Sequence, residues 1–182
     1  TQDHVSFHGS FYRFDDVPME LTPYQKPFPA FWYGVHAPES AAKAARQGFN
    51  VVTNEGPAQA AAVAAAYRAE WQQRGDAAAH MPDIGIVRHI VVADSDAEAH
   101  ALAQPAFAKW HENFYHLHRR HGLRASHDKD ADIDAAVAEG TAIIGSPETV
   151  SSALIRQVRA SGVTYVLGQF AFGSLPFAEA SR

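Results

Sequence analysis

The stretch that decides the fold reads PYQKPFPAFWYGVHAPESAAKAARQG and covers residues 23–48. Its early prolines exclude a helix from the lead-in, because proline lacks a backbone donor and fixes φ. The continuous apolar run FWYGV (31–35) predicts a strand buried on both faces. A helix then begins at Pro38 and ends before Gly48, a residue suited to the position after a helix. This order places the free N–H groups of a helix start at the carboxyl end of a strand, where α/β proteins bind phosphates.

Two more strands follow, each with a helix behind it. NVVTN (50–54) predicts the next strand, and its helix carries apolar residues at the spacing of one buried face: Ala60, Val63, Ala64, Tyr67 and Trp71. IGIVRHIVVA (84–93) predicts the longest strand. Ser95 and Glu98 form a capping box for a helix that runs towards Tyr115, with a kink or interruption at Pro105.

The last predicted unit begins at GSPETV (145–150), where Ser146 caps a helix and Pro147 occupies its first turn. Gly162 ends that helix, and VTYVLGQF (163–170) is the final strand. Alternating strands and helices predict an α/β protein with a parallel sheet and right-handed crossovers.

The remaining segments are expected to be irregular parts of a single domain that covers residues 1–182. Residues 1–30 form an extended lead-in, in which VSFHGSFYRFDDV (5–17) alternates as a short hairpin does. Residues 122–141 are polar and acidic and predict an excursion with a short helix at Ile133–Val137. The length of 182 residues is short for a complete (βα)8 barrel, which takes about 250 residues.

Composition excludes several classes of function. Hydrophobic residues make up 47% of the chain and charged residues 19%, with a net charge of −5, so nucleic acid and anionic membranes are not expected as partners. The absence of cysteine excludes disulfides, thiolate metal ligands and a cysteine nucleophile. No apolar run reaches the roughly 20 residues of a membrane span, and the first residues do not form a signal peptide. The cytoplasm is the expected location.

Five segments in fixed order resemble the carboxyl-terminal half of the bacterial luciferase-like monooxygenases: FHGSFYRFDDV, PYQKPFPAFWYG, PESAAKAARQG, GSPETV and GVTYVLGQFAFGSLP. The resemblance implies a TIM-type (βα)8 barrel of which this chain holds about the last four strand–helix units, a partial barrel. FWYGV, NVVTN, IGIVRHIVVA and VTYVLG are similar to its fifth to eighth strands. The usual active-site histidine of the family lies in the other half, so no catalytic residue is assigned.

The same resemblance implies a flavin-dependent monooxygenase that uses FMNH2 and O2 on a small organic substrate, with a flavin reductase as partner. Activity would require the other half of the barrel, so the isolated segment is expected to be inactive. Two alternatives stay open. One is a non-catalytic half-barrel that forms a homo-oligomer through its open apolar face, and the other is a deazaflavin-dependent oxidoreductase.

The resemblance also implies cofactor-binding residues. The family contacts the flavin phosphate at positions matching His36, Ala37 and Ser40, and its backbone passes near the isoalloxazine ring at positions matching Thr53 and Asn54. The alternative is that these residues serve only the helix start and the strand exit. In the loop QFAFGSLP (169–176), Phe170 and Phe172 would line an apolar substrate pocket or the edge of the flavin, or else pack as core residues.

Histidines invite a metal site that the spacing does not favour. WHENFYHLHRRH (110–121) contains no HExxH motif, and His118 with His121 shares a helix face without a nearby carboxylate. We therefore expect a solvated helix face there and no metal. His89 alternates within its strand and is expected at the barrel wall or rim. The acidic residues of 94–134 lack the glycine and the final glutamate of an EF-hand.

Overall fold

The computed structural model describes residues 2–74, 80–123 and 131–181. Its contacts divide the chain into two compact units, one ending at Phe31 and the other beginning at Trp32. The single domain expected from the sequence stays a prediction. The two units are described in turn.

The first unit contains the predicted hairpin. Strands β1 (His4–His8) and β2 (Arg13–Pro18) pair antiparallel, which confirms the alternation read from the sequence. The turn is closed by Gly9, whose N–H donates to the carbonyl of Tyr12 at 2.9 Å. The Phe7 and Phe14 rings lie 5.8 Å apart and give the hairpin an apolar contact across its strands.

The second unit alternates strands with helices. In chain order its elements are β3 (Trp32–Gly34), α1 (Pro38–Gln47), β4 (Asn50–Thr53), α2 (Pro57–Gln72), β5 (Ile84–Val92), α3 (Asp96–Arg120), α4 (Ile133–Ala138), β6 (Ala142–Gly145), α5 (Pro147–Ser161), β7 (Tyr165–Gln169) and α6 (Phe177–Ala180). Glycines at positive φ follow α1 and α5, at Gly48 (70°) and Gly162 (67°), as predicted. Ser146 caps α5, accepting from the N–H of Thr149 at 3.4 Å.

All pairs in the five-stranded sheet are parallel, with the order β3–β4–β5–β6 and β7 beside β5. Strands β3, β4, β5 and β7 therefore lie side by side in that order, as successive strands of a barrel do, while β6 pairs with the end of β5. The nine residues of β5 pair with β4 at their start, with β7 along the middle and with β6 at their end. Strand β6 was not predicted, because its four residues AIIG are too few to give a periodic signal.

One face of the sheet is covered by α1 and α2. Val51, Ile84 and Ile86 pack there with the buried side of α2. The predicted buried residues of α2 are all confirmed, with exposed fractions of at most 6%: Ala60, Val63, Ala64, Tyr67 and Trp71. Periodicity was sufficient here because α2 packs on its neighbours along one stripe.

The opposite face of the sheet is open. A Cβ placed on Gly85 would meet side-chain atoms of Leu167 and Trp32, each at 3.2 Å, and the rings of Trp32 and Tyr165 lie 5.1 Å apart. Gly85, Trp32, Tyr165 and Leu167 are called the open face below. Trp32 is 41% exposed and Tyr33 45%, so the prediction of a strand buried on both faces was wrong. β3 pairs with β4 alone among the described strands, and its side chains lack a second neighbour.

Helix α3 covers the carboxyl end of that face. Its start is the predicted cap, since Ser95 Oγ accepts from the N–H of Glu98 at 3.2 Å. Of the kink or interruption predicted at Pro105, the interruption was wrong, because the 25-residue helix continues past Pro105, and the kink stays a prediction. Burial of Ala99, Ala103 and Phe107 against the sheet offsets the hydrogen bond that proline removes. No helix among the described residues is long and apolar enough to cross a bilayer.

Candidate functional site

The turn from β3 to α1 presents an uncapped helix start. Val35 is buried and its N–H donates to the carbonyl of Val52 at 2.9 Å, which fixes the strand exit. Ala37 is the N-cap in extended conformation, and it provides no side-chain hydrogen bond to the first turn. Ser40 is half-buried in that turn, and its N–H donates to the Ala37 carbonyl at 3.1 Å. The first turn of α1 therefore has no capping acceptor, and its acidic residue is the exposed Glu39.

His36 is contacted by Glu55, in the loop that follows β4, and by Gln59, in the first turn of α2. Its Nδ1 lies 2.9 Å from Glu55 Oε1, and its carbonyl accepts from Nε2 of Gln59 at 3.0 Å. The His36 side chain remains 56% exposed, whereas that of Glu55 is 22% exposed. Glu55 and Gln59 were not identified from the sequence as partners of His36. The carboxyl ends of adjacent parallel strands lie side by side, and this could have indicated that residues after β4 come close to His36.

Thr53 and Asn54 differ in what they offer. Thr53 is 2% exposed, and its Oγ1 accepts from the N–H of Glu55 at 3.2 Å, so its hydroxyl serves the loop. Asn54 is exposed at the strand exit. The His36–Glu55 contact brings this exit beside the β3–α1 turn, so the predicted cofactor residues occupy two adjacent strand ends.

The two candidate pocket phenylalanines lie in different surroundings. Phe170 is 48% exposed and its ring lies over Gly168, where an added Cβ would come within 2.3 Å of the Phe170 ring. Phe172 is 7% exposed and belongs to the cluster under α3. The loop reaches α3 through Gly173, at φ 55°, where a Cβ would lie 1.8 Å from the Ala106 carbonyl oxygen.

His89 occupies an aromatic box that the sequence did not reveal. Its ring centroid lies 5.4 Å from that of Phe107, 4.4 Å from Trp110 and 4.8 Å from Phe172. The residue is 8% exposed, and burial lowers its pKa from 6.5 to about 4, so the imidazole is neutral at physiological pH. His89, Phe107, Trp110 and Phe172 are called the His89 box below. Their contacts join β5, α3 and the loop after β7, which spacing along one chain segment cannot show.

Arg88 points to the other side of β5 and is fully buried. Its Nε donates to Gln157 Oε1 at 2.7 Å and its Nη1 to the Val87 carbonyl at 2.7 Å. Gln157 Nε2 in turn donates to the Gly140 carbonyl at 3.1 Å. Burial lowers the pKa of Arg88 to about 10, and the Glu55 carboxylate opposes this. The buried cation therefore interacts electrostatically with the partner of His36.

The histidines of α3 divide between core and surface. His118 and His121 are exposed, as expected for a solvated face. His111 is 3% exposed, and its Nδ1 lies 3.0 Å from Nη2 of Arg119, so the expected solvated face was wrong for this residue. Within the described ranges, no group of three or more metal-binding side chains converges.

Comparisons with known proteins identify relatives of the chain. A family model described as luciferase-like monooxygenase matches residues 1–165. A Sinorhizobium fredii (strain NBRC 101917 / NGR234) protein, "Uncharacterized protein y4wF", is 35% identical over 173 residues, which are 94% of this chain and 50% of that protein. An FMNH(2)-dependent dimethylsulfone monooxygenase of Pseudomonas putida is 29% identical over 109 residues, 60% of this chain and 29% of that protein.

Solved structures share the fold. Monooxygenase RslO1 from Streptomyces bottropensis gives a TM-score of 0.74 at 25% identity, covering 100% of this chain and 53% of that one. The oxygenating constituent of 3,6-diketocamphane monooxygenase from Pseudomonas putida, in complex with FMN, gives 0.63 at 20% identity, with 93% and 52% covered. Coenzyme F420-dependent tetrahydromethanopterin reductase from Methanopyrus kandleri gives 0.57 at 16%, with 91% and 52% covered. The predicted partial barrel is confirmed, and the chain spans about half the length of these relatives.

Proposed function

Because this chain belongs to the luciferase-like monooxygenase family, we propose that it provides one half of a flavin-dependent monooxygenase that oxygenates a small organic substrate. Reduced FMN, delivered by a flavin reductase, supplies the activation of O2 when it is bound. The chain covers 50% of its y4wF relative, so the activity is proposed for the barrel completed by its other half. The FMNH(2)-dependent dimethylsulfone monooxygenase among the relatives of the chain supports the reaction class.

The observation that carries this proposal is the uncapped start of α1 beside the His36–Glu55 pair. A phosphate monoester at this turn would accept from the N–H of Glu39 and from the hydroxyl of Ser40, and it would interact favourably with the positive end of the helix. His36 adds an imidazole whose orientation is fixed by Glu55 at 2.9 Å. These residues fit the phosphate end of FMN.

Other residues at the carboxyl edge would border the ring system of the cofactor and the substrate. The backbone at Thr53 and Asn54 lies one strand along from the phosphate turn, where it would border the ring system of the cofactor. Phe170 is exposed at the end of β7 and is proposed to border the substrate.

Cofactor titration tests the proposal. Oxidised FMN, riboflavin and a deazaflavin are each added to the 182-residue chain while flavin fluorescence is measured. We expect FMN to be quenched more strongly than riboflavin, since only FMN carries the phosphate. A preference for the deazaflavin would favour the oxidoreductase alternative. Absence of quenching by millimolar protein would refute cofactor binding by this chain.

A second candidate function, a non-catalytic half-barrel that forms a homo-oligomer, is favoured by the exposed open face. Trp32 is 41% exposed and Tyr165 46%, and among the described strands β3 and β7 each have one partner. A second copy would cover these aromatic side chains and the strand edges. Light scattering at low protein concentration tests this. A dimeric mass that falls to the monomer in Leu167→Lys would support it, and a stable wild-type monomer would refute it.

A further inference from the structure

Three buried side-chain polar atoms of the second unit have no hydrogen-bond partner within the part of the chain that the structure describes: Nε2 of His89, Nε1 of Trp71 and Nη2 of Arg88. Nε2 of His89 is the one that is enclosed by aromatic rings from two other elements. Leaving a buried polar atom unpaired costs about 1–3 kcal/mol. A phenylalanine would fill the same space without that cost, so packing alone does not explain a histidine here.

The surroundings of this atom have the composition of a small-molecule site. The three rings of the His89 box stand at steep angles to the imidazole, between 65° and 86°, so they enclose it edge-on. Ligand pockets are mostly apolar and aromatic, with a few polar atoms that fix orientation. The box has this composition, with one neutral imidazole among apolar rings.

Its place in the sheet agrees. Side chains alternate along a strand, so His89 lies on the same face of β5 as Gly85, which belongs to the open face. It lies four residues nearer the carboxyl end, where barrel enzymes place their sites. Strand β5 therefore leads from the open face directly into the box.

We propose that the His89 box is a ligand-binding subsite that takes a small, neutral, mostly apolar molecule and pairs its one polar atom with Nε2 of His89. The inference deepens the proposed function, on which it rests in naming the class of substrate. It assigns to His89 a substrate-orienting role that the sequence did not indicate.

Phe172 is the wall of the box that would have to move to admit a ligand. Phe107 and Trp110 belong to the 25-residue helix α3, whereas Phe172 lies in the loop between β7 and α6. That loop lies against the backbone of α3 at Gly173, where a Cβ would come 2.9 Å from the Trp110 nitrogen. Outward rotation of Phe172 would vacate the space of one six-membered ring beside His89. A ligand ring of that size would replace it.

Three probes of similar shape distinguish a hydrogen bond to His89 from simple filling of the space in the His89 box. Cyclohexanone offers an acceptor, cyclohexanol a donor and an acceptor, and methylenecyclohexane neither. Each is titrated into the 182-residue chain while the ring nitrogen resonances of His89 are followed by NMR. We expect the ketone or the alcohol to shift Nε2 and to bind roughly tenfold more tightly than the alkene, the contribution of one hydrogen bond.

Variants then assign the preference to His89. In His89→Phe the three probes are expected to bind alike. His111→Phe is the matched control, because His111 is equally buried on α3 but its ring nitrogen has Arg119 at 3.0 Å. It should keep the preference for the polar probes. Phe172→Ala, which vacates the ring space, should bind all three more tightly, and Phe172→Ala with His89→Phe should lose the preference again.

The outcomes separate this subsite from the flavin proposal. If the polar probes leave the wild-type Nε2 resonance unmoved, or if His89→Phe keeps the preference, the subsite is refuted. The resonance measurement needs no variant, so it decides the matter even where His89→Phe does not fold. The probe titration contains no flavin, so a failed FMN titration does not change its result. Successful FMN binding likewise does not support the subsite if the Nε2 resonance of His89 fails to shift.

Discussion

Nδ1 of His36 lies 2.9 Å from a carboxylate oxygen of Glu55, which joins the residues that follow β3 and β4 at the carboxyl edge of the sheet. The contact fixes one imidazole nitrogen and directs the other away from Glu55. It also brings an acidic residue close to a turn that is proposed to hold an anion. The arrangement makes sense if Glu55 orients the His36 ring towards the phosphate.

The first prediction concerns this pair. We expect Glu55→Gln and His36→Asn each to raise the Kd for FMN roughly threefold to tenfold, because an exposed charge-assisted contact is worth about 1 kcal/mol. Riboflavin binding should not change, since the effect acts through the phosphate. Fluorescence titration measures both.

Glu70→Gln is the matched control for Glu55→Gln. The Glu70 side chain is likewise 22% exposed, and it pairs with Arg46 at 3.1 Å, away from the strand exits. It should leave the FMN affinity at the wild-type value. Equal losses in Glu55→Gln and Glu70→Gln would mean that the orientation of His36 by Glu55 is not responsible, since removing a negative charge by itself should favour an anionic ligand.

The second prediction uses the uncapped start of α1. Ala37→Ser places a hydroxyl where the first-turn N–H groups have no side-chain acceptor, so it should stabilise the protein by about 1 kcal/mol and raise Tm by roughly 2–4 °C. The same hydroxyl competes with a phosphate, and the affinity for FMN should fall. Calorimetry and the titration above measure the two effects.

Ser146→Ala is the counterpart on α5. It removes a working cap, the 3.4 Å bond to the N–H of Thr149, and should lower Tm without changing FMN affinity. An Ala37→Ser variant that is stabilised and binds FMN as tightly as wild type would exclude the phosphate from this turn.

How much of this could be read from the sequence depends on whether the signal is local. The buried stripe of α2 and the glycines at Gly48 and Gly162 were predictable, because periodicity and backbone conformation act within a few residues. The exposure of Trp32 was not, because it depends on which strands lie beside β3. The order of the parallel strands predicts that Ser40 and Asn54, which follow β3 and β4, lie near adjacent strand ends. It does not predict which side chains contact each other there.

The side-chain partners at the site could not be predicted. His36 with Glu55 spans 19 residues, and Arg88 with Gln157 spans 69. Such pairs depend on register and side-chain direction between elements. His89 illustrates the same limit. The alternation of side chains along β5 predicts that it lies at the barrel wall or rim, but not that rings from α3 and the final loop enclose it.

The third prediction concerns the dependence of stability on pH. The pKa of His89 is lowered from 6.5 to about 4 by burial, so between these values the unfolded chain binds a proton that the folded chain does not. The contribution to stability is therefore complete above about pH 6.5 and is lost as pH falls towards 4, by up to about 3 kcal/mol. Urea unfolding at about pH 7.5 and about pH 4.5 measures the loss.

His89→Phe should remove this part of the pH dependence. It should also be at least as stable as wild type at neutral pH, because the unpaired Nε2 is gone. His111→Phe, which loses a contact to Arg119, should be less stable at neutral pH. A wild-type pH profile that His89→Phe reproduces would show that His89 is protonated in the folded protein.

The fourth prediction concerns the buried cation under β5. Gln157→Leu removes the acceptor of Arg88 Nε and should destabilise the protein by about 3 kcal/mol, because the guanidinium stays buried with fewer partners. Adding Arg88→Met removes that charge, so the double variant should be more stable than Gln157→Leu alone. Gln157→Leu and the double variant both lose the donor to the Gly140 carbonyl, so the free energy of that lost hydrogen bond cancels when the two are compared. Urea unfolding of the two single variants and the double variant measures the coupling, and strictly additive losses would show that Arg88 does not depend on Gln157.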